Sequence, residues 1–279
     1  VREMDITTCY ASVAGTKKHV GTSFSFPENV DEALQMLHLI AGSEKAWRER
    51  PFVSMSVCHV IPPLKFAEDA SACLEAGVKG GMPVLLLSAG QAGATSPATL
   101  ARCVVQSVAE VIAGLVYVNA IQEGAPAIFG AWPFVSDLRT GAMSGGSGEQ
   151  AVLMAACGQM SQFYNLPSGI AAGMTDSKIP DAQSGYEKGY TVALAGHSGA
   201  NLIYESAGMH ASLLGCCLES YVIDNDMLGA INRTVRGIEV NAETLSLDPI
   251  RDVCLDGPGH YLGHEQTLNR MQSDYLYPI

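Results

Sequence analysis

One pattern recurs along the chain: a short apolar run, a polar or glycine-rich loop, then an amphipathic helical stretch. Six runs open it in turn, at Val20 to Phe26, Phe52 to Val60, Val84 to Ala89, Ala127 to Ala131, Ser168 to Met174 and Asn201 to Glu205. Strands alternating with helices feed a parallel sheet through right-handed crossovers. The run Val84 to Ala89 is apolar throughout until Ser88, as expected of a strand covered on both faces. No G-x-G-x-x-G follows the first run, and the Ser144 to Gly148 loop lacks the Lys-Ser or Lys-Thr of a phosphate-binding loop. The pattern therefore predicts an α/β fold of the TIM type, a (β/α)8 barrel, in one domain spanning residues 1–279. Six runs are fewer than eight strands. Either residues 1–18 hide one strand and the C-terminal half another, or the chain lacks an N-terminal part.

Local signals place the helices. Asn29 and Glu32 have the spacing of a capping box, and Gly42 has the place of a helix end. Helices are expected over Leu64 to Ala76, from Thr95 or Ser96 to about Val118, over Glu149 to Asn165, and from Pro180. Further helices are expected over Ala211 to Glu219, Asp224 to Arg236, Asp248 to Cys254 and Gly263 to Ser273. Val104 to Val118 is the nearest approach to a membrane span, but Gln106, Ser107 and Glu110 interrupt it.

Charge and cysteine content narrow the function classes. A net charge of -12 argues against nucleic acid as a partner. Only 16% of residues are charged, well under the roughly 25% usual in globular chains, which points to a large core, a homo-oligomer, or both. The eight cysteines form no C-x-x-C, and most sit among apolar neighbours, so reduced thiols in a cytoplasmic protein are expected. The opening residues VREMDITT show no secretory signal pattern, and the chain does not begin with Met.

In a barrel, the residues just past each strand meet at one mouth. Here they are Ser23 and Ser25; Ser56 and His59; Ser88 and Gln91; Trp132, Phe134, Asp137 and Arg139; Asp176 and Lys178; and Glu205, Met209 and His210. Tyr186, Tyr190 and Tyr204 are placed to line its edge. The set has no zinc-ligand motif and no G-x-S-x-G, so neither zinc nor a hydrolase triad is expected. Aromatic rings with carboxylates suit a cation, above all a quaternary ammonium, which ring faces hold without a hydrogen bond. Trp132 and Phe134 are the cage candidates, with Asp176, Tyr186, Glu205 and His210 around them. Arg139 has the fork to hold a carboxylate. Lys178 raises a competing reading, a Schiff-base aldolase or lyase.

Five segments carry a resemblance. They are Cys9-Tyr-Ala-Ser with Gly15-Thr; Ser88 to Pro97; Asp137 to Glu149; Thr175 to Lys178 with Asp181 to Glu187; and Gly257 to His264. In these the chain resembles the trimethylamine methyltransferase (MttB) superfamily along essentially its whole length. The resemblance implies a (β/α)8 barrel that moves a methyl group from a methylated amine to the cobalt of a corrinoid on a partner protein. Archaeal trimethylamine enzymes of the family carry pyrrolysine. This chain has only standard residues and is similar to the non-pyrrolysine branch, which implies a betaine-like quaternary amine. Gly145, Gly146 and Gly148, with Ser88 and Gln91, are then the positions expected to approach the corrinoid. A betaine-binding subunit or truncated fragment without activity is the non-catalytic alternative.

Overall fold

The computed structural model describes residues 2–255 and 257–277. Six parallel strands form in chain order: β1 (Val20–Thr22), β2 (Val53–Val57), β3 (Val84–Ser88), β4 (Ala127–Ala131), β5 (Gly169–Ala171) and β6 (Leu202–Tyr204). Each pairs with its neighbour in sequence, from β1 on β2 through β3 on β4, and β5 on β6. A parallel bridge from Phe129 to Ser168 joins β4 to β5. All six expected strands are present; β4 has the bounds of its apolar run, and the others are shorter than theirs.

Helices fill the crossovers: α1 (Arg2–Gly15) before the sheet, α2 (Pro27–Ala41), α3 (Glu44–Glu49), α4 (Glu68–Lys79), α5 (Leu100–Ile121), α6 (Gly148–Phe163), α7 (Ala182–His197) and α8 (Leu218–Arg236). Two short ones follow, α9 (Asp248–Cys254) and α10 (Glu265–Arg270). On the helix side the sheet presents Met55, Val84 and Phe129, all buried. Gly77 of α4 is what lets that helix lie on Met55, since a Cβ there would fall 2.6 Å from the methionine methyl.

The sheet curls. Tyr204, on the last strand, projects across the concave face, where a Cβ on Gly169 would fall 2.6 Å from its ring and one on Gly21, on the first strand, 3.5 Å from it. The two edge strands therefore lie one aromatic ring apart. Among the described residues β1 and β6 do not pair, so the curl remains open at this seam and the expected closed barrel is not seen.

Several local expectations are corrected. Residues 2–15 form a helix rather than a strand, because Asp5 docks α1 onto the loop after β1. Its buried carboxylate accepts from the Ser25 amide at 2.7 Å, the Ser25 hydroxyl at 3.2 Å and the Asn29 amide at 2.7 Å. Asn29 is thus inside α2 and bound to Asp5, not the cap of a capping box; Gly42, at φ 89°, does end that helix. Leu64 to Phe66 belongs to a hairpin, Val60–Ile61 against Lys65–Phe66, turned by a cis Pro62–Pro63 bond. Thr95 and Ser96 shape the loop before α5 instead of capping it: Thr95 Oγ1 accepts from the Gln91 amide, and Thr99 is the N-cap. The expected helix from Ala211 to Glu219 forms only at its end: Ala211 to Cys216 belongs to a hairpin, Met209–His210 against Gly215–Cys216, and α8 begins at Leu218.

The α5 helix is as long as expected but begins and ends a few residues later, at Leu100 and Ile121. It is long and apolar enough to cross a membrane by length and composition. Its interrupting polar residues point inward, with Ser107 and Glu110 buried where the helix packs on β3 and β4.

Removing the α1 anchor takes the acceptor from three donors, of which the Asn29 amide is buried. Asp5→Ala is expected to cost about 1 to 3 kcal/mol, measured as a lower urea midpoint with an unchanged slope.

Candidate active site

The loops after β4, β5 and β6 form one hydrogen-bonded layer centred on Asp176. Its Oδ2 accepts from the Ser144 hydroxyl at 2.6 Å, and its Oδ1 from the Gly145 amide at 2.8 Å and the Ser212 hydroxyl at 2.6 Å. The Gly146 amide lies 3.4 Å from Oδ1. A carboxylate accepts only, so one side chain on the loop after β5 gathers donors from the two other loops. Beneath it, buried Glu187 of α7 accepts from the Thr175 hydroxyl at 2.5 Å and the Asp176 amide at 2.8 Å. The Tyr190 hydroxyl donates to the Gly146 carbonyl.

A second buried cluster holds the loop after β6. Lys188 of α7 is fully buried and pairs with Asp224 of α8 at 2.6 Å. The same Asp224 oxygen accepts from the Gly208 amide at 2.8 Å. His210 sits beside the pair, its Nε2 2.6 Å from the Ser220 hydroxyl and 3.5 Å from the Lys188 ammonium. Lys188 is missing from the expected site, though helical periodicity marks it. Ser184, Lys188, Thr191, Val192 and Ala195 make one buried stripe of α7.

Trp132, buried at the edge of the core, meets Tyr204 on the concave face, and Glu205 follows Tyr204 at the end of β6, with Tyr221 beside its carboxylate. The Trp132 indole N–H donates to the Gly169 carbonyl at 2.6 Å, and its ring meets Tyr204 at 5.4 Å between centroids, tilted 53°. Burial raises the Tyr204 pKa, so its hydroxyl stays neutral. Glu205 follows β6 in the left-handed region at φ 65°, a conformation costly for a residue with a side chain and one that concentrates at functional sites. Its half-buried carboxylate engages no hydrogen bond or ion pair among the described residues, and burial pushes its pKa up. Two aromatic faces and a desolvated carboxylate are what an apolar cation needs.

The other expected residues are placed differently. Phe134 is buried, its backbone amide donating to the Gly90 carbonyl at 2.8 Å. Arg139 is on the surface, its side chain 89% exposed and forked onto Asp137, whose pKa that pairing and its hydrogen bonds pull down to about 2. The cleft of about 440 Å³ that Arg139 lines contains none of Trp132, Tyr204 or Glu205. Lys178 is exposed, so nothing desolvates it as a Schiff-base lysine requires. Tyr186 is exposed and stacks on Tyr190 at 6.4 Å. Asp176 and His210 are bound up in the loop scaffold, and His59 is buried with its Nε2 donating to the Glu110 carbonyl at 2.9 Å.

The positions expected to approach a corrinoid do not fit that role, apart from Gly148, which has open space around it. The Gly145 amide turns inward to Asp176. A Cβ at Gly146 would run into Glu187, so that glycine serves internal packing. Ser88 is fully buried and donates to Glu110 at 2.6 Å. Gln91 accepts from the Ser136 hydroxyl at 2.9 Å.

A family model described as trimethylamine methyltransferase (MTTB) matches residues 1–279. The chain belongs to this family. It is 36% identical over 258 residues to the trimethylamine methyltransferase MttB of Desulfitobacterium hafniense, covering 92% of this chain and 51% of that protein. It is 30% identical over 270 residues to the glycine betaine methyltransferase of the same species, covering 96% and 56%. To the trimethylamine methyltransferase MttB of Methanosarcina thermophila it is 34% identical over 272 residues, covering 97% and 55%. The chain thus spans about half the length of the curated relatives it matches. Three of the five segments on which the resemblance rests follow strands, after β3, β4 and β5, and Asp176 and Glu187 lie in the third of these.

Two outcomes follow. Lys188→Met leaves Asp224 charged, buried and unpaired, and is expected to destabilise by about 3 to 5 kcal/mol, while Lys178→Met at the surface stays within about 0.5 kcal/mol of the parent; urea denaturation compares them. Burial raises the Glu205 pKa above its unfolded value, so its contribution is most favourable below the ordinary glutamate range and is lost as pH climbs through the raised pKa. Glu205→Gln should therefore melt at a higher temperature than the parent at neutral pH, with the two curves converging in acid.

Proposed function

We propose that this chain provides the donor-binding part of a methyltransferase that takes a methyl group from a quaternary, betaine-like amine and passes it to the cobalt of a corrinoid on a separate protein. The observation that carries the reading is the set Trp132, Tyr204 and Glu205 in a member of this family. Two ring faces and an unpaired, half-buried carboxylate suit a permanently charged ammonium. No general acid is needed: a quaternary ammonium leaves as a neutral tertiary amine. The corrinoid, when its carrier docks, supplies the nucleophile.

The chain's own residues then bind, orient and exclude water. Glu205 neutralises the cation at its edge. Trp132 and Tyr204 hold its methyl groups against ring faces and keep water from them. The Asp176 layer fixes the loops around that cage. Positive charge on nitrogen falls in the transition state, so the cage works best when its grip on the ground-state cation is moderate. We read the curled sheet as part of a (β/α)8 barrel, completed by further strands at the seam between β1 and β6. A cytoplasmic setting suits both a corrinoid partner and eight cysteines read as reduced.

The reading is tested by calorimetry and thermal shift with glycine betaine, proline betaine, carnitine, choline and trimethylamine. At least one quaternary amine should bind more tightly than trimethylamine and raise the melting temperature. Tyr204→Leu should weaken that binding by up to about thirtyfold, corresponding to ~2 kcal/mol, and Glu205→Gln by about tenfold or more, corresponding to ~1.4 kcal/mol. Binding indifferent to both substitutions, or no quaternary amine bound with or without a corrinoid protein, defeats the proposal.

A further inference from the structure

A betaine carries a carboxylate as well as an ammonium, and the residues expected to hold that carboxylate lie elsewhere. Arg139 is forked onto Asp137, and Lys178 is exposed. Lys188 is buried against Asp224. Burial raises the Glu205 pKa, where a cation alongside would lower it, so no cationic side chain stands close to Glu205 among the described residues. Tyr221 of α8 stands there instead. Contact with Cys216, partial burial and the nearby Glu205 charge raise its pKa, which keeps its hydroxyl neutral.

Tyr221 is held from two sides. It belongs to the first turn of α8, whose inner face is fixed: the Ser220 hydroxyl lies 2.6 Å from His210 Nε2, and Asp224, one turn on, pairs with Lys188. Tyr221 follows Ser220 by about 100° around the helix, which turns it off that face. Its ring lies against the backbone of Gly208, three residues past Glu205, where a Cβ would fall 2.5 Å from Cε2 and Cζ. Gly208 is also at φ 78°, so a side chain there would be strained and would displace the ring. The ring is 48% exposed, which puts it at an opening rather than in the core. The sole partner of its hydroxyl among the described residues is the Cys216 thiol, a long contact at 3.7 Å. Its O–H is free to donate to a ligand.

We infer that Tyr221 is a specificity-determining residue of the donor site, its hydroxyl donating to the carboxylate of a zwitterionic donor whose ammonium stands against Trp132, Tyr204 and Glu205. The inference rests on the methylated-amine reading above. A hydrogen bond to a carboxylate is charge-assisted and stronger than one to a neutral oxygen, so Tyr221 favours a carboxylate arm over a hydroxyl arm. A neutral donor also suits this place better than a cation. Lysine or arginine beside Glu205 would pair with it and cancel the charge that attracts the ammonium.

The test is calorimetry on the full chain with three ligands that share a quaternary head: tetramethylammonium, choline and glycine betaine. Glycine betaine should bind the parent most tightly. Tyr221→Phe removes only the hydroxyl; it should weaken glycine betaine by about tenfold or more, choline by less, and leave tetramethylammonium within about twofold, with circular dichroism unchanged. If that variant does not fold as the parent does, Tyr221→Leu is measured with the same ligands and should show the same selective loss. A parent that binds glycine betaine no better than tetramethylammonium overturns the inference and leaves the methylated-amine reading standing. So does a substitution that weakens all three ligands alike, or none of them. A parent that binds none of the three, with or without a corrinoid protein, overturns both.

Discussion

The Asp176 carboxylate is the point on which the mouth of this sheet depends. It accepts hydrogen bonds from Ser144, Gly145 and Ser212, so it ties the loops after β4, β5 and β6 to one another. Glu187 fixes the backbone of Asp176 from below, and the Lys188–Asp224 pair fixes the loop after β6. These loops have few apolar residues of their own to bury. Buried carboxylates with full sets of donors give them one arrangement, because any other leaves a desolvated charge without partners. The left-handed Ala211 and Ser212 are held in the same way, by amides donating to the Ser177 and Thr175 carbonyls at 2.8 Å.

On that scaffold Glu205 is the exception. The other buried carboxylates are saturated with donors, whereas Glu205 is strained in its backbone and desolvated in its side chain. Both features work against stability, and a cation beside the carboxylate would offset the second. Room for the Tyr204 ring comes from Gly21 and Gly169, which carry no side chain toward the concave face. The site and the curl of the sheet are therefore one construction: with a side chain at Gly169, Tyr204 would be pushed out and the first and last strands moved apart.

The outside of the sheet answers a different demand. Its helices bury one stripe each against β1 to β6, and α5 leaves an apolar stripe uncovered. On α8, Leu218, Val222 and Ile223 are exposed as well.

The sequence by itself determined the six strands, their order, the helices between them and the family. Each of these rests on local periodicity or on contiguous motifs, which the chain carries wherever it folds. It also named Trp132 and Glu205, because residues that end a strand in a parallel sheet gather at one edge. Tertiary structure decided which charged groups serve the site and which serve the scaffold. Arg139 and Lys178 looked like ligands for a carboxylate, but one pairs with its neighbour Asp137 and the other faces water. Lys188, which the strand-end pattern did not single out, is the buried one, and its partner Asp224 lies on the next helix, 36 residues away. The glycine loop looked like a cradle for a cofactor and turns its Gly145 amide to Asp176 instead. Such choices depend on burial and on partners distant in sequence, and neither exists until the chain has closed on itself.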